Sequence, residues 1–345
     1  MVEKAQNQVS IRAQISNRLF VSGELPDGSG LRLIPEGLAH EAPTKCILGN
    51  GVVINPLVLL NDFDNLKANG IDYKDRLLIS QRSHLVTAYH AKVTERLKEI
   101  RKDTGIWLSA ADVAYAYKPL KMGLRVSNLA QSWSDFEDSY DRVNKTCQQL
   151  FRIELSKEDR DTDLENFKRM RDVIKKNQMI HDTSFLLCQE ISAGKRILAE
   201  DCSSSMMDED HGIYPYTDSF HTTTGSVCTG LGVPDEAIET EIGVMSAVTL
   251  LKKSFLKHIN CFPTLVEECD PSHASIWSKL ESRYGISKDE FIFGWLDLNH
   301  VQHVERLNQL SSIFVTHLDL LDDLEEFKIC TSYTVQSSSD SGEPH

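Results

Sequence analysis

Several places along the chain gather side chains of the kinds that do chemistry. Asp208, Glu209, Asp210 and His211 set three carboxylates and an imidazole in a row, and hard divalent cations take oxygen donors of this type. A lone acidic stretch without distant partners is more often a loop, so no metal is expected there. His300 and His303 stand three apart, on one face if that segment is helical. Zinc needs further ligands, and the sequence places none. His221 and Ser219 show no spacing that marks a nucleophile and its base. Phosphate loops work by presenting backbone amides at a helix start. Gly194-Lys195 is followed by Arg196 and lacks both the leading glycine and the hydroxyl of such a loop, while Gly28 and Gly30 lack a third glycine and a helix behind them. The residues alone therefore give no catalytic and no metal site.

The elements that would position any site alternate along the chain. Between residues 18 and 54, short apolar groups separated by Gly, Pro and Asp read as strands and turns. Leu57, Leu60, Phe63 and Leu66 give helical spacing over 56–68, and 76–80 reads as a buried strand. Leu85, Tyr89, Val93 and Leu97 recur every four residues, which predicts a helix over 84–102. A charged helix is expected over 163–180, with Leu164, Phe167, Val173 and Ile174 inward. Residues 185–191 continue apolar, and 196–200 is a further strand. A long helix is expected over 235–257, an apolar segment over 261–266, and strands over 312–318 and 326–333. Strands alternating with helices predict an α/β fold with a central, largely parallel sheet flanked by helices. Residues 1–17 are expected to be a loose tail, 18–333 one domain, and 334–345, rich in Ser, Asp and Gly, disordered.

Composition narrows the function classes. The 345 residues carry 51 acidic and 37 basic side chains, a net charge of −14. Such a surface repels phosphate backbones and anionic lipid, so neither nucleic acid nor a membrane is expected as partner. The densest basic stretch, 96–102, is interrupted by Glu99 and reads as a solvated helix face. Eight cysteines without a C-x-x-C pair read as reduced thiols, and no apolar run approaches a membrane span. A cytoplasmic protein is expected.

Longer segments resemble the adenylosuccinate synthetase family. They are 47–56 (ILGNGVVINP), 76–86 (RLLISQRSHLV), 121–126 (KMGLRV), 208–216 (DEDHGIYPY), 222–233 (TTTGSVCTGLGV), 261–264 (CFPT), 294–298 (GWLDL) and 318–330, in family order. The resemblance implies that family's P-loop NTPase-like α/β fold. It also implies a reaction in which GTP and magnesium phosphorylate an oxygen of IMP before aspartate displaces the phosphate. That chemistry needs anchors for two polyanions, a base, and cations against developing phosphoryl charge.

Position by position, few of those groups are present. The family's Trp-Gly-Asp-Glu-Gly-Lys-Gly-Lys loop, with its catalytic Asp and phosphate-binding Lys, has no counterpart before Arg18. Where a Gly-Gly-Asn-Asn-Ala-Gly-His stretch should bring a catalytic His, residues 22–28 read SGELPDG. Ile106 and Trp107 replace the threonines for the IMP phosphate, and the glycines expected next become Ala110 and Asp112. An IMP-contacting Gln becomes Ser203, and a phosphate-contacting Thr becomes Asp218. The arginine-rich loop reads KDEFIF over 288–293, and of the guanine-reading Lys-x-Asp only Asp319 survives. By the resemblance, the family's C-terminal portion, which completes the guanine pocket, is expected to be missing beyond Tyr333. Lys121 keeps a charge where an Arg contacts IMP across a dimer, without the bidentate fork.

The resemblance thus implies weak remnants of the IMP site at Lys121 and Ser203, a remnant of the guanine site at Asp319, and no catalytic residue. A catalytically inactive scaffold or regulatory partner is expected, as a homodimer or a heterodimer with an active paralogue. No cofactor is expected, GTP and magnesium entering only if activity is retained. The alternatives are a residual GTP-dependent ligase of purine nucleotide synthesis and an IMP sensor without chemistry.

Overall fold

The structure is a computed structural model that describes residues 9–13, 22–24, 30–39, 44–102, 104, 106, 108–201, 204–253 and 274–333. The chain divides into two compact units, Met1–Glu239 and Thr240–His345. The first begins with strands β1 (Val9–Arg12), β2 (Ser22–Glu24), β3 (Gly30–Leu31), β4 (Lys45–Leu48) and β5 (Val53–Ile54) and helix α1 (Pro56–Ala68). Next come β6 (Leu77–Ser80), β7 (His84–Leu85), α2 (Ala88–Ile100), α3 (Ala110–Tyr117), α4 (Val126–Ala130), α5 (Trp133–Phe151) and α6 (Lys157–Lys176). The unit closes with β8 (Ile180–His181), α7 (Thr183–Ser192), β9 (Ile197–Glu200) and α8 (Thr224–Leu231).

Five of these strands form one sheet in the order β8-β6-β4-β1-β9, and every pairing in it is parallel. Parallel neighbours need crossovers, and the helices that supply them cover both faces. The period of two is visible in β4: Cys46 and Leu48 face the cluster built by Leu59, Phe63 and Leu66 of α1 and Phe167, Met170 and Ile174 of α6. Ile47 faces the other way, with Val9 and Ile11 of β1, Leu187 of α7 and Leu231 of α8. Burial on both faces is why these strands read as unbroken apolar runs.

Val9–Arg12 corrects the expectation of a loose tail over 1–17: it is the strand between β4 and β9, with Val9 and Ile11 at 0% and 1% exposure. Four residues give too short a pattern to stand out against the polar residues around them. The expected start of a helix at residue 84 is also corrected. His84 and Leu85 are paired in β7, and the helix begins at Ala88, where Thr87 is the N-cap and the His90 ring accepts the Thr87 N–H.

Two buried carboxylates tie elements together. Asp62 of α1, 1% exposed, accepts the backbone N–H groups of Arg32, Leu33 and Ile34. Asp163 of α6 accepts the Ala88 N–H at 2.7 Å and the Tyr140 hydroxyl at 2.6 Å, joining α6 to the start of α2 and to α5. Burial pushes the Asp163 carboxyl up, against the pull of those two donors.

The second unit contains β10 (Ile242–Ser246), β11 (Thr249–Lys252), α9 (Ala274–Tyr284), β12 (Phe291–Gly294), β13 (Leu296–Asp297), α10 (Leu298–Asn308), β14 (Ser312–Thr316) and β15 (Ile329–Cys330). The long helix expected over 235–257 is corrected to two strands: β10 pairs in parallel with β14, and β11 pairs antiparallel with β12. Ile242, Val244 and Val248 satisfy an alternating as well as a helical spacing, and strand partners decide between the two. A small core holds Val248, Ile276, Trp277, Leu280, Phe293 and Leu320. The expectations for 261–266 and 334–345 lie outside the described residues.

Candidate ligand-facing edge of the sheet

In open parallel sheets, ligands bind beyond the carboxyl ends of the strands, where the strand order reverses direction. Here the chain steps from β1 outward through β4, β6 and β8, then returns to β9 on the other side of β1. The corresponding crevice therefore lies beside the carboxyl end of β1. Helix α8 brackets it. At its first turn, the Ser226 hydroxyl donates to Asp201, the residue after β9, at 3.1 Å. At its last turn, Asn50 Nδ2 donates to the Thr229 carbonyl at 2.9 Å, and the Gly51 N–H donates to Gly230 at 2.8 Å. An eight-residue helix is about 12 Å long, and two strand spacings are about 10 Å, so α8 reaches across the end of β1.

After β1 the sequence reads Ala13-Gln14-Ile15-Ser16-Asn17-Arg18, with neither glycine nor lysine. The segment that carries α8 is negatively charged. Residues 201–231 hold Asp201, Asp208, Glu209, Asp210 and Asp218 and no lysine or arginine.

Asp208 organises this loop. Its carboxylate, 0% exposed, accepts the N–H groups of Asp210 and His211 at 3.0 Å each and that of Thr222 at 2.6 Å. Burial works to raise its pKa, but those three donors outweigh it and hold the group below the usual carboxylate range. The carboxylate considered as a metal donor in the sequence is thus spent on backbone amides. His221 also faces all three carboxylates, with oxygens of Asp208, Glu209 and Asp210 at 3.6, 3.2 and 4.0 Å from its ring nitrogens. Among the described residues, no group of three or more His, Cys, Asp or Glu side chains is arranged to hold a metal ion.

The other positions singled out in the sequence are scattered over both units. Asp112, standing where a glycine was expected, is 8% exposed and closes the start of α3. Its carboxylate accepts the Ser109 N–H at 2.6 Å and the Ser109 hydroxyl at 2.7 Å. A helix start that would otherwise offer amides to an anion carries its own carboxylate. Asp218 is 3% exposed, and its N–H donates to the Met207 carbonyl. Ser203 and Trp107 lie outside the described residues. In the second unit, the Asp319 carboxylate is ion-paired with Arg283 of α9, and Lys279 Nζ donates to the Asp319 carbonyl at 2.7 Å. His300 sits 3.9 Å from Asp297, whose carboxylate accepts the Tyr333 hydroxyl.

Lys121 is exposed, on a turn where it adopts a left-handed φ of 61°. That turn brings it near a basic group that sequence reasoning did not assemble. Segment 122–126 runs alongside 83–85, through Leu85 N–H to the Leu124 carbonyl and Val126 N–H to the Ser83 carbonyl. Arg125 Nε then donates to His84 Nε2 at 3.3 Å. Burial, with Lys118 and Arg125 nearby, pushes the His84 imidazole down to about 3, so it stays neutral and accepts. Gly123 is required by the fit: a Cβ there would stand 2.3 Å from His84 Nδ1. The Lys118 ammonium lies 5.0 Å from the Tyr115 ring centroid and is pushed down to about 8 by burial and by Arg125. The contact between His84 and Arg125 joins residues 41 apart and could not be read from the sequence.

Comparisons with known proteins bear on the whole chain. The family model described as adenylosuccinate synthetase matches residues 27–344. The adenylosuccinate synthetase of Paramecium tetraurelia is 34% identical over 304 residues, covering 87% of this chain and 68% of that one. That of Thermodesulfovibrio yellowstonii is 30% identical over 315 residues, covering 89% and 70%. Among solved structures, the fully ligated adenylosuccinate synthetase of Plasmodium falciparum superposes with a TM-score of 0.79 at 23% identity, covering 94% of this chain and 74% of that one. The succinoaminodeoxyadenylate synthetase of cyanophage S-2L gives a TM-score of 0.54 at 16% identity, covering 96% and 85%. Those structural likenesses establish the fold, and the family model with the 34% relative establishes the kinship: with its parallel sheet and its helix across the end of β1, this chain belongs to the adenylosuccinate synthetase family.

Proposed function

We propose that this member of the family does not carry out the ligation and acts as a scaffold or regulatory partner. The observation that carries the reading is the sequence that follows β1, Ala13-Gln14-Ile15-Ser16-Asn17-Arg18, which has neither glycine nor lysine. A triphosphate needs backbone amides and cations at that place. The 201–231 segment, which carries α8, offers five carboxylates and no lysine or arginine, and like charges repel.

GTP and magnesium do not fit the residues present. The segment after β1 supplies no glycine or lysine for phosphates, and the Asp319 carboxylate is engaged by Arg283. The remaining basic group, Lys118, Lys121 and Arg125, supports contact with a second chain, either another copy or an active paralogue. There Lys121 would keep a charge but not a guanidinium fork. Among the described residues no helix is long and apolar enough to cross a membrane, and a cytoplasmic setting fits the reduced cysteines.

The test is direct. Purified chain with IMP, aspartate, GTP and magnesium is expected to form adenylosuccinate no faster than a protein-free control. Turnover that Lys121→Ala or Arg125→Ala abolishes would overturn the proposal in favour of the second reading, a residual ligase. That reading has its own support, since the relatives identical at 30–34% are named as synthetases. A melting point raised by IMP without turnover would instead support a nucleotide sensor, because a ligand that binds only the folded chain stabilises it.

A further inference from the structure

We draw no further inference here: the strongest candidate, the apolar pair of parallel strands in the second unit where Ile242, Val244 and Phe314 on one face and Ile313 and Val315 on the other are 38–59% exposed, is a surface patch for which nothing in the structure shows what covers it.

Discussion

His84 and His90 are both buried, at 6% and 1% exposure, and both imidazoles are pushed down to about 3, chiefly by burial. The unfolded chain titrates its histidines near 6.5. A group whose folded pKa is depressed contributes stability that is present above the unfolded value and is lost as pH falls. Each histidine therefore costs up to about 1.4 kcal/mol per pH unit below 6.5, as the unfolded state takes up protons the folded state refuses. Asp163, whose carboxyl is raised, works in the opposite sense. Urea midpoints are expected to fall between pH 6.5 and 5, below the range in which Lys118 takes up its proton. A His90→Gln variant should show a shallower fall, and an unchanged slope would contradict the assignment. None of this was legible in the sequence, where both histidines lay in what read as one continuous amphipathic segment.

At the scale of elements, single buried carboxylates hold short pieces of chain against long ones. Asp62 is the clearest case, since three consecutive N–H groups from the 32–34 segment end on it. Removing it leaves buried donors without partners, each worth about 1–3 kcal/mol. Asp62→Ala is expected to lower unfolding stability by at least about 2 kcal/mol in urea denaturation, with Asp62→Asn recovering part of the loss. A change below about 0.5 kcal/mol, the usual size for a surface substitution, would mean that the segment is held otherwise. At the start of α3, Ser109→Ala should cost about 1 kcal/mol, because Ser109 and Asp112 cap each other. Helix α1 was read from sequence with its bounds intact, Pro56 and Asn55 marking its start. Its role as an anchor was not, because Asp62 looked like any polar residue on a helix.

For the whole molecule, the net charge of −14 opposes close approach of two copies, so an association surface has to carry local positive charge. The turn bearing Lys118, Lys121 and Arg125, with Leu120 at 59% exposure, is such a place. The expected outcome of light scattering is a mass of two chains, falling toward one chain for a Lys118→Glu/Arg125→Glu variant that keeps its circular dichroism. A single-chain mass for the unaltered protein would remove the homodimer, and a co-expressed active paralogue that never co-purifies would remove the heterodimer. GTP is expected to give no magnesium-dependent heat at micromolar concentrations in calorimetry.

The fold class was legible because a parallel sheet covered on both faces leaves continuous apolar runs, as at 76–80, and because crossover helices leave periodic stripes, as at 56–68 and 163–180. The family was legible from glycine- and proline-bearing segments such as 47–56 and 294–298, and so were the carboxylates at Asp112 and Asp218, since a side chain's charge is fixed by its type. Tertiary structure alone decided the rest. Val9–Arg12 is a central strand because β4 and β9 lie on either side of it, and residues 242–252 are strands because partners from 291–294 and 312–316 pair with them. Asp208 is an acceptor for backbone amides rather than a metal donor because its loop folds back on it. His84 aligns Arg125 across 41 residues of sequence. Hydrophobic period and side-chain charge are local properties that a sequence displays directly, whereas pairing, burial and hydrogen-bond partnership depend on which distant residues arrive alongside.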